Sequence, residues 1–310
     1  MIMASKNSLE KALLIMLILI GSAIFLSLAA AAAPKWPIPD GVKTMEVNGY
    51  DMAYQETGSG VPLILIHGAV NDYRTWALQV PELSKTYRTI PVSLRHCYPE
   101  KWNGLGDDCS VTQHVSDVAA LIRSMNLGKV HLLGHSRGGE VALNVARLHP
   151  ETIRTLILED ANMENLLPKT PETQRREAAI KGFREYLRGI LAAGDAEKAA
   201  KVFVDAVNGP GTWDKLPPER RITPVDNIGT AMESAERPKV SCVDIQKFNF
   251  PILLLIGERS PKHNGIMIEA IRQCKPEILA PLIVPNGTHL MHRDNPEFFN
   301  KSVLDFLKKH

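Results

Sequence analysis

The sequence predicts an α/β protein with a mostly parallel central sheet, and three observations carry that prediction. Short β-rich runs alternate with helical patterns from residue 62 to residue 307. The runs Leu63-Ile-Leu-Ile and Leu253-Leu-Leu-Ile are apolar without alternation, as strands covered on both faces are. The composition is 45% hydrophobic and 23% charged, which is that of an ordinary globular chain rather than a disordered or disulfide-scaffolded one.

In chain order, the stretch from Thr44 to Gln55 reads as a hairpin, with alternating residues on either side of Asn48-Gly49. Strands are expected at 62–66, 87–94, 130–133, 153–158, 252–256 and 280–284, and helices at 111–125, 138–148, 265–274 and 296–307. Right-handed crossovers through such helices pair the strands in parallel and cover both sheet faces. Between Asn162 and Asn249 no strand pattern occurs. There Ile180, Phe183, Leu187, Ile190 and Leu191 recur at helical spacing, and Asp195 opens a second helix expected to bury Val202, Phe203 and Ala206. A segment this long is not a loop of a compact sheet domain, so it is expected to form a helical lid.

The N-terminus decides the compartment. Lys6 and Lys11 precede an uncharged run from Ala12 to Ala33, apolar at its start and ending in small residues. That is the pattern of a signal peptide, cleaved among Ala30 to Ala32, and the same run is long enough to serve as a membrane anchor instead. Either way the body is expected to be exported, periplasmic or secreted. Export permits disulfides, and pairings Cys97–Cys109 and Cys242–Cys274 are expected. Lys plus Arg (36) against Asp plus Glu (34) leaves a net charge of +2, and no basic stripe occurs. Nucleic acid is therefore not an expected partner. Membrane contact is expected only if the leader is retained.

The chemistry concentrates at Gly134-His135-Ser136-Arg137-Gly138, which follows an apolar strand and opens a helix. A sharp strand-to-helix turn lifts the central side chain above the sheet, and the two glycines remove side chains that would collide there. Ser136 then stands at a helix N-terminus, where the Arg137 N–H can face a developing negative charge. An earlier strand ends in His67-Gly68-Ala69, whose Ala69 N–H supplies a second donor, with His67 a structural turn residue. A base is expected on the loop after the last strand. His289 follows the turn Pro285-Asn286-Gly287 directly and is preferred to His292, which suits a solvated position better.

Together these motifs resemble the α/β-hydrolase fold superfamily, in its serine-nucleophile branch with a helical cap. The resemblance runs from about Thr44 to Lys308 and rests on His67-Gly68, Gly134 to Gly138, Pro150-Glu151 and Gly287-Thr288-His289. Beyond the leader expected at 1–33, it implies a hydrolase core at 34–161 and 250–310 and a cap at 162–249. It further implies Ser136 as nucleophile, His289 as general base, the N–H groups of Ala69 and Arg137 as oxyanion hole, and no metal or organic cofactor. Dehalogenases and epoxide hydrolases of this fold use an aspartate nucleophile, so neither activity is implied.

Two departures stand out. Relatives carry an aspartate after strand seven where this chain has Ser260, and a hydroxyl cannot balance an imidazolium as a carboxylate does. Asp160 after strand six is the preferred acid, with Glu258 and Glu159 as alternatives; strand alternation sends Glu159 and Asp160 to different sides. Ser93 and Cys97 replace two residues of the turn that relatives close after strand four. Trp76, Trp213 and Trp102 are candidate pocket residues. The expected activity is cleavage of an ester or related acyl bond. Carbon–carbon bond hydrolysis, a perhydrolase activity, or ligand binding without turnover are the alternatives.

Overall fold

The computed structural model describes residues 36–104, 109–232 and 237–310. The signal-peptide and anchor readings concern residues 1–33 and lie outside the described residues. Among the described residues no helix is long and apolar enough to cross a membrane.

Eight strands form one sheet: β1 (Lys43–Val47), β2 (Tyr50–Tyr54), β3 (Pro62–Ile66), β4 (Arg88–Val92), β5 (Val130–His135), β6 (Ile153–Glu159), β7 (Ile252–Gly257) and β8 (Leu282–Val284). Their order is β1-β2-β4-β3-β5-β6-β7-β8. The hairpin strand β2 meets β4 antiparallel, and every pairing from β4 through β8 is parallel. The longer helices are α1 (Val111–Ser124), α2 (Arg137–Leu148), α3 (Pro171–Ala192), α4 (Ala196–Asn208), α5 (Pro218–Asn227), α6 (Lys262–Cys274) and α7 (Pro296–Leu307).

The apolar runs do what their lack of alternation requires. Ile64, Ile66, Leu132, Leu156 and Leu158 pack on one face in a cluster with Val118 and Leu121 of α1, Val141 of α2 and Ile268 of α6. Their neighbours Leu63, Leu65, Leu133 and Ile157 point to the other face, toward Trp76 and toward Phe299 and Val303 of α7. Each strand thus divides its side chains between two helical layers, and burying each leucine or isoleucine contributes about 1.5–3 kcal/mol. Two boundaries differ from expectation. β4 stops at Val92, and Ser93 turns its hydroxyl into the following loop, donating to the Tyr98 carbonyl at 2.6 Å. β8 begins at Leu282, after Pro281, which has no N–H to give a ladder.

The described residues between β6 and β7 are helical or irregular. α3 starts at a Thr170 cap with Pro171 in its first turn, and Asp195 caps α4 by accepting the Lys198 N–H at 2.9 Å. The buried face of α4 is Ala199, Ala200 and Val204; Val202 and Phe203 are half-buried and Ala206 is exposed, which corrects the expected set. Leu187, Ile190 and Trp213 complete an apolar cluster with Val70 and Ala69, so the insertion packs on the turn that follows β3. A polar clasp adds to this contact. Arg74 bonds Asp72 at 2.6 Å and Asp226 of α5 at 2.8 Å. Asn227 donates to Asp72 at 2.6 Å and accepts from the Tyr98 N–H at 2.7 Å.

Cys242 and Cys274 are joined, tying the return of the insertion to α6. Cys97 and Cys109 are not joined: both are buried thiols. Cys97 packs in the larger core cluster, whereas the Cys109 sulfur lies 3.5 Å from an Arg137 guanidinium nitrogen and 3.9 Å from His114 Nε2.

Candidate active site

Ser136 occupies the turn between β5 and α2 with φ 53° and ψ −117°. A positive φ at a non-glycine residue is strained, and here the strain is locked in from both sides. The Ser136 N–H donates to the Glu159 carbonyl at 2.8 Å, and the Ser136 carbonyl accepts from Gly139, Glu140 and Asn162. A Cβ on Gly134 would meet the Gly138 carbonyl, and one on Gly138 would meet the carbonyls of Ile66 and His67. Both glycines are therefore required by close backbone approach. A Cβ on Gly68 would come within 3.2 Å of the Ser136 Cβ, which puts the His67-Gly68-Ala69 turn directly beside the serine. His67 is structural, as expected. It donates from Nδ1 to the Gly68 carbonyl at 2.7 Å and accepts the Leu94 N–H at Nε2 at 3.0 Å. Burial lowers its pKa to about 4, so it stays neutral.

The Ser136 hydroxyl lies 3.0 Å from His289 Nε2. His289 sits on the loop beyond β8, where Thr288 donates twice to Asp294 and the turn passes so close to Gly257 that a Cβ there would touch the Gly287 carbonyl. On the other side of the ring, His289 Nδ1 donates to Asp160 Oδ2 at 3.0 Å. Asp160 follows β6 at φ 41° and is fully buried. The same Oδ2 accepts from the Ser260 hydroxyl at 2.6 Å and from Asn264 Nδ2 at 3.1 Å. Ser260, standing where relatives carry an acid, thus donates to the acid brought from the neighbouring strand. Asn264 was not anticipated. It stands in the first turn of α6, and no pattern in the sequence marked it.

The alternative acids point elsewhere. Glu258 is exposed and accepts the Asn286 N–H at 2.7 Å, bracing the turn before His289. Glu159 is fully buried on the opposite side of the strand from Asp160 and bonds His292 Nδ1 at 2.7 Å. His292 is therefore not solvated, because its ring is enclosed by Trp76 and Phe299. Burial, reinforced by Asp160, pushes Glu159 well above the usual carboxylate range, and burial pushes His292 and His135 well below the usual histidine range.

His135, Glu159 and His292 bring three possible ligand atoms within 4.8 Å of one another. A zinc ion held by bonds of about 2.0–2.2 Å would separate its ligand atoms by roughly 3 Å or more. At 2.7 Å, Glu159 Oε1 and His292 Nδ1 stand closer than two ligand atoms of one zinc ion and pair directly with each other.

The three candidate pocket tryptophans take different places. Trp76 is fully buried behind His292, Trp213 belongs to the apolar cluster of the insertion, and Trp102 stacks on His96 at 4.4 Å.

A hydroxyl, an imidazole and a buried carboxylate in series can pass the hydroxyl proton to the imidazole and stabilise the resulting charge. The family model described as "Alpha/beta hydrolase family" matches residues 63–302. The chain belongs to this family. Among its curated relatives is an (E)-2-((N-methylformamido)methylene)succinate hydrolase of Acinetobacter baylyi, 25% identical over 86% of this chain and 98% of that protein. Epoxide hydrolase 3 of Xenopus tropicalis is 25% identical over 80% of this chain and 71% of its own length. A thermophilic esterase of Thermogutta terrifontis has the same fold, with a TM-score of 0.69 at 24% identity over 86% of this chain and 97% of the esterase. The eight-stranded, mostly parallel sheet flanked by helices is this alpha/beta hydrolase fold.

Proposed function

We propose that this alpha/beta hydrolase is an exported serine hydrolase that cleaves a carboxylic ester or related acyl bond of a small molecule. The observation that carries the reading is the continuous series Ser136 Oγ–His289 Nε2 at 3.0 Å and His289 Nδ1–Asp160 Oδ2 at 3.0 Å. His289 takes the proton of Ser136 as the hydroxyl oxygen attacks the carbonyl carbon, and Asp160 stabilises the imidazolium. The N–H groups of Ala69 and Arg137 receive the oxyanion. His289 then protonates the leaving alcohol, and a water molecule activated by the same histidine releases the acid and restores Ser136. Removing one oxyanion donor in such sites costs about 10²–10³ in rate.

Ser136 argues against epoxide opening, despite the epoxide hydrolase relatives, because that reaction in this fold forms an alkyl-enzyme ester on a carboxylate nucleophile. The helical insertion serves as the cap, supported by its packing on Ala69 and Val70. Export is supported by the Cys242–Cys274 bond, since disulfides persist mainly in oxidising compartments.

Reaction of the protein with a fluorophosphonate probe tests the reading. Labelling that vanishes in Ser136→Ala and falls steeply in His289→Ala supports it. An unmodified protein that does not label fits a ligand-binding role instead. Assay of labelled-competent protein on esters and on diketones then separates ester cleavage from carbon–carbon cleavage.

A further inference from the structure

Against Ser136 and His289 lies a second carboxyl–histidine pair that the proposed chemistry does not use. Glu159 and His292 bond at 2.7 Å, and neither side chain is exposed. His292 continues to the Thr75 hydroxyl at 3.3 Å, and its carbonyl accepts Gln79 Nε2 at 2.6 Å. Between the two pairs stands His135, with its ring centre 4.7 Å from that of His289 and 5.0 Å from that of His292. His135 Nε2–H donates to the His289 carbonyl at 2.8 Å. Two adjacent residues at one strand end, Glu159 and Asp160, therefore grip two histidines of one short segment, and the residue before the serine holds that segment's backbone.

We infer that Glu159, His292 and His135 are positioning residues for His289, anchoring the segment that carries it to the end of β6 and to the residue before Ser136. Of the two adjacent buried carboxyls, Glu159 is the neutral acid and Asp160 alone supplies negative charge to the imidazole. This deepens the serine-hydrolase reading and rests on it. The reason is geometric first: a displacement of about 1 Å at a reacting group costs on the order of 10²-fold in rate. The segment carrying His289 is anchored to the sheet through these bonds. The second reason is electrostatic, since two charged carboxylates on neighbouring residues in a buried site repel each other. Asp160, His289 and Arg293 face Glu159; Arg293, His289 and Asp294 face His292; and His289, His292 and Arg293 face His135. Burial favours the uncharged form of both Glu159 and His292, so the pair shares one proton without net charge.

The test measures fluorophosphonate labelling rate against pH for the full chain and for Glu159→Ala, His292→Ala and Glu159→Gln, with circular dichroism recording that each is folded. The alanine variants are expected to label about tenfold or more slowly while folded. Glu159→Gln, which keeps a neutral hydrogen-bonding partner for His292, is expected to recover most of that loss. Its acid limb, where His289 takes up a proton, is expected at the pH of the unmodified protein. Folded alanine variants that label at the unmodified rate would overturn the positioning role. An acid limb displaced to lower pH in Glu159→Gln would mean that a negative charge had been removed near His289, and would overturn the neutral acid. Should Glu159→Ala fail to fold, Glu159→Gln and His292→Asn carry the same comparison. Labelling that depends on Ser136 but ignores Glu159 and His292 refutes this inference alone, whereas an unmodified protein that does not label refutes the hydrolase reading and this inference with it.

Discussion

The same thought experiment, adding one methyl group to a glycine, gives opposite answers in two parts of the molecule. Around the serine turn a Cβ on Gly134 or Gly138 meets backbone oxygen, and one on Gly139 comes within 2.5 Å of the Ala161 Cβ. In helix α3 of the insertion a Cβ on Gly182 or Gly189 meets nothing within 4 Å. The turn is fixed by backbone packed against backbone, where no side chain can yield. Helix α3 turns Gly182 and Gly189 to solvent, while the insertion is held elsewhere by an apolar cluster, a polar clasp, the Cys242–Cys274 bond and the close approach of Gly229 to the Trp102 carbonyl. The series Ser136–His289–Asp160, whose chemistry tolerates little displacement, sits in the first region.

Substitutions at the reacting groups probe the rigid region most severely. Ser136→Ala is expected to abolish fluorophosphonate labelling, read by intact mass. Asp160→Asn is expected to slow labelling by about 10³–10⁴-fold, since an amide holds the ring in the wrong tautomer and leaves the imidazolium unbalanced. In that background Ser260→Asp returns a carboxylate to the neighbouring strand end, and a recovery of about tenfold in labelling rate is expected. Failure to recover would mean that the 2.6 Å Ser260–Asp160 contact does not place position 260 within reach of the imidazole.

Stability measurements sharpen the contrast. Reducing Cys242–Cys274, whose partners are 32 residues apart, is expected to cost about 3–4 kcal/mol and to lower the melting temperature. Gly138→Ala is expected to cost about 3 kcal/mol by overpacking against the Ile66 and His67 carbonyls. Gly182→Ala, the identical change on the exposed face of α3, is expected to raise stability by about 0.5–1 kcal/mol. Denaturant titration of both variants checks the sign. Equal destabilisation would show that the insertion is packed as tightly as the turn.

Legibility in the sequence follows the same division. Strand positions 63–66 and 253–256 could be read because apolar runs without alternation have one cheap solution, burial on both faces, and 130–133 and 153–158 because β-rich runs are bounded by helical patterns. Gly134, Ser136, Gly138 and the Gly68 turn could be read because they form a local backbone requirement written into consecutive residues. His289 could be singled out because it directly follows a turn. The buried face of α4 is Ala199, Ala200 and Val204 rather than Val202, Phe203 and Ala206, because the sequence shows a helix's period more plainly than which of its faces meets the rest of the protein.

What the sequence by itself determined is therefore the fold and the turn that presents Ser136, both products of local pattern. Only the tertiary structure decided which carboxylate meets His289, that Ser260 and Asn264 converge on Asp160, that His292 is enclosed with Glu159, and that Cys97 and Cys109 stay apart. These outcomes depend on where loops from different strands arrive relative to one another, and that is set by packing across the sheet rather than by the order of residues within any one loop.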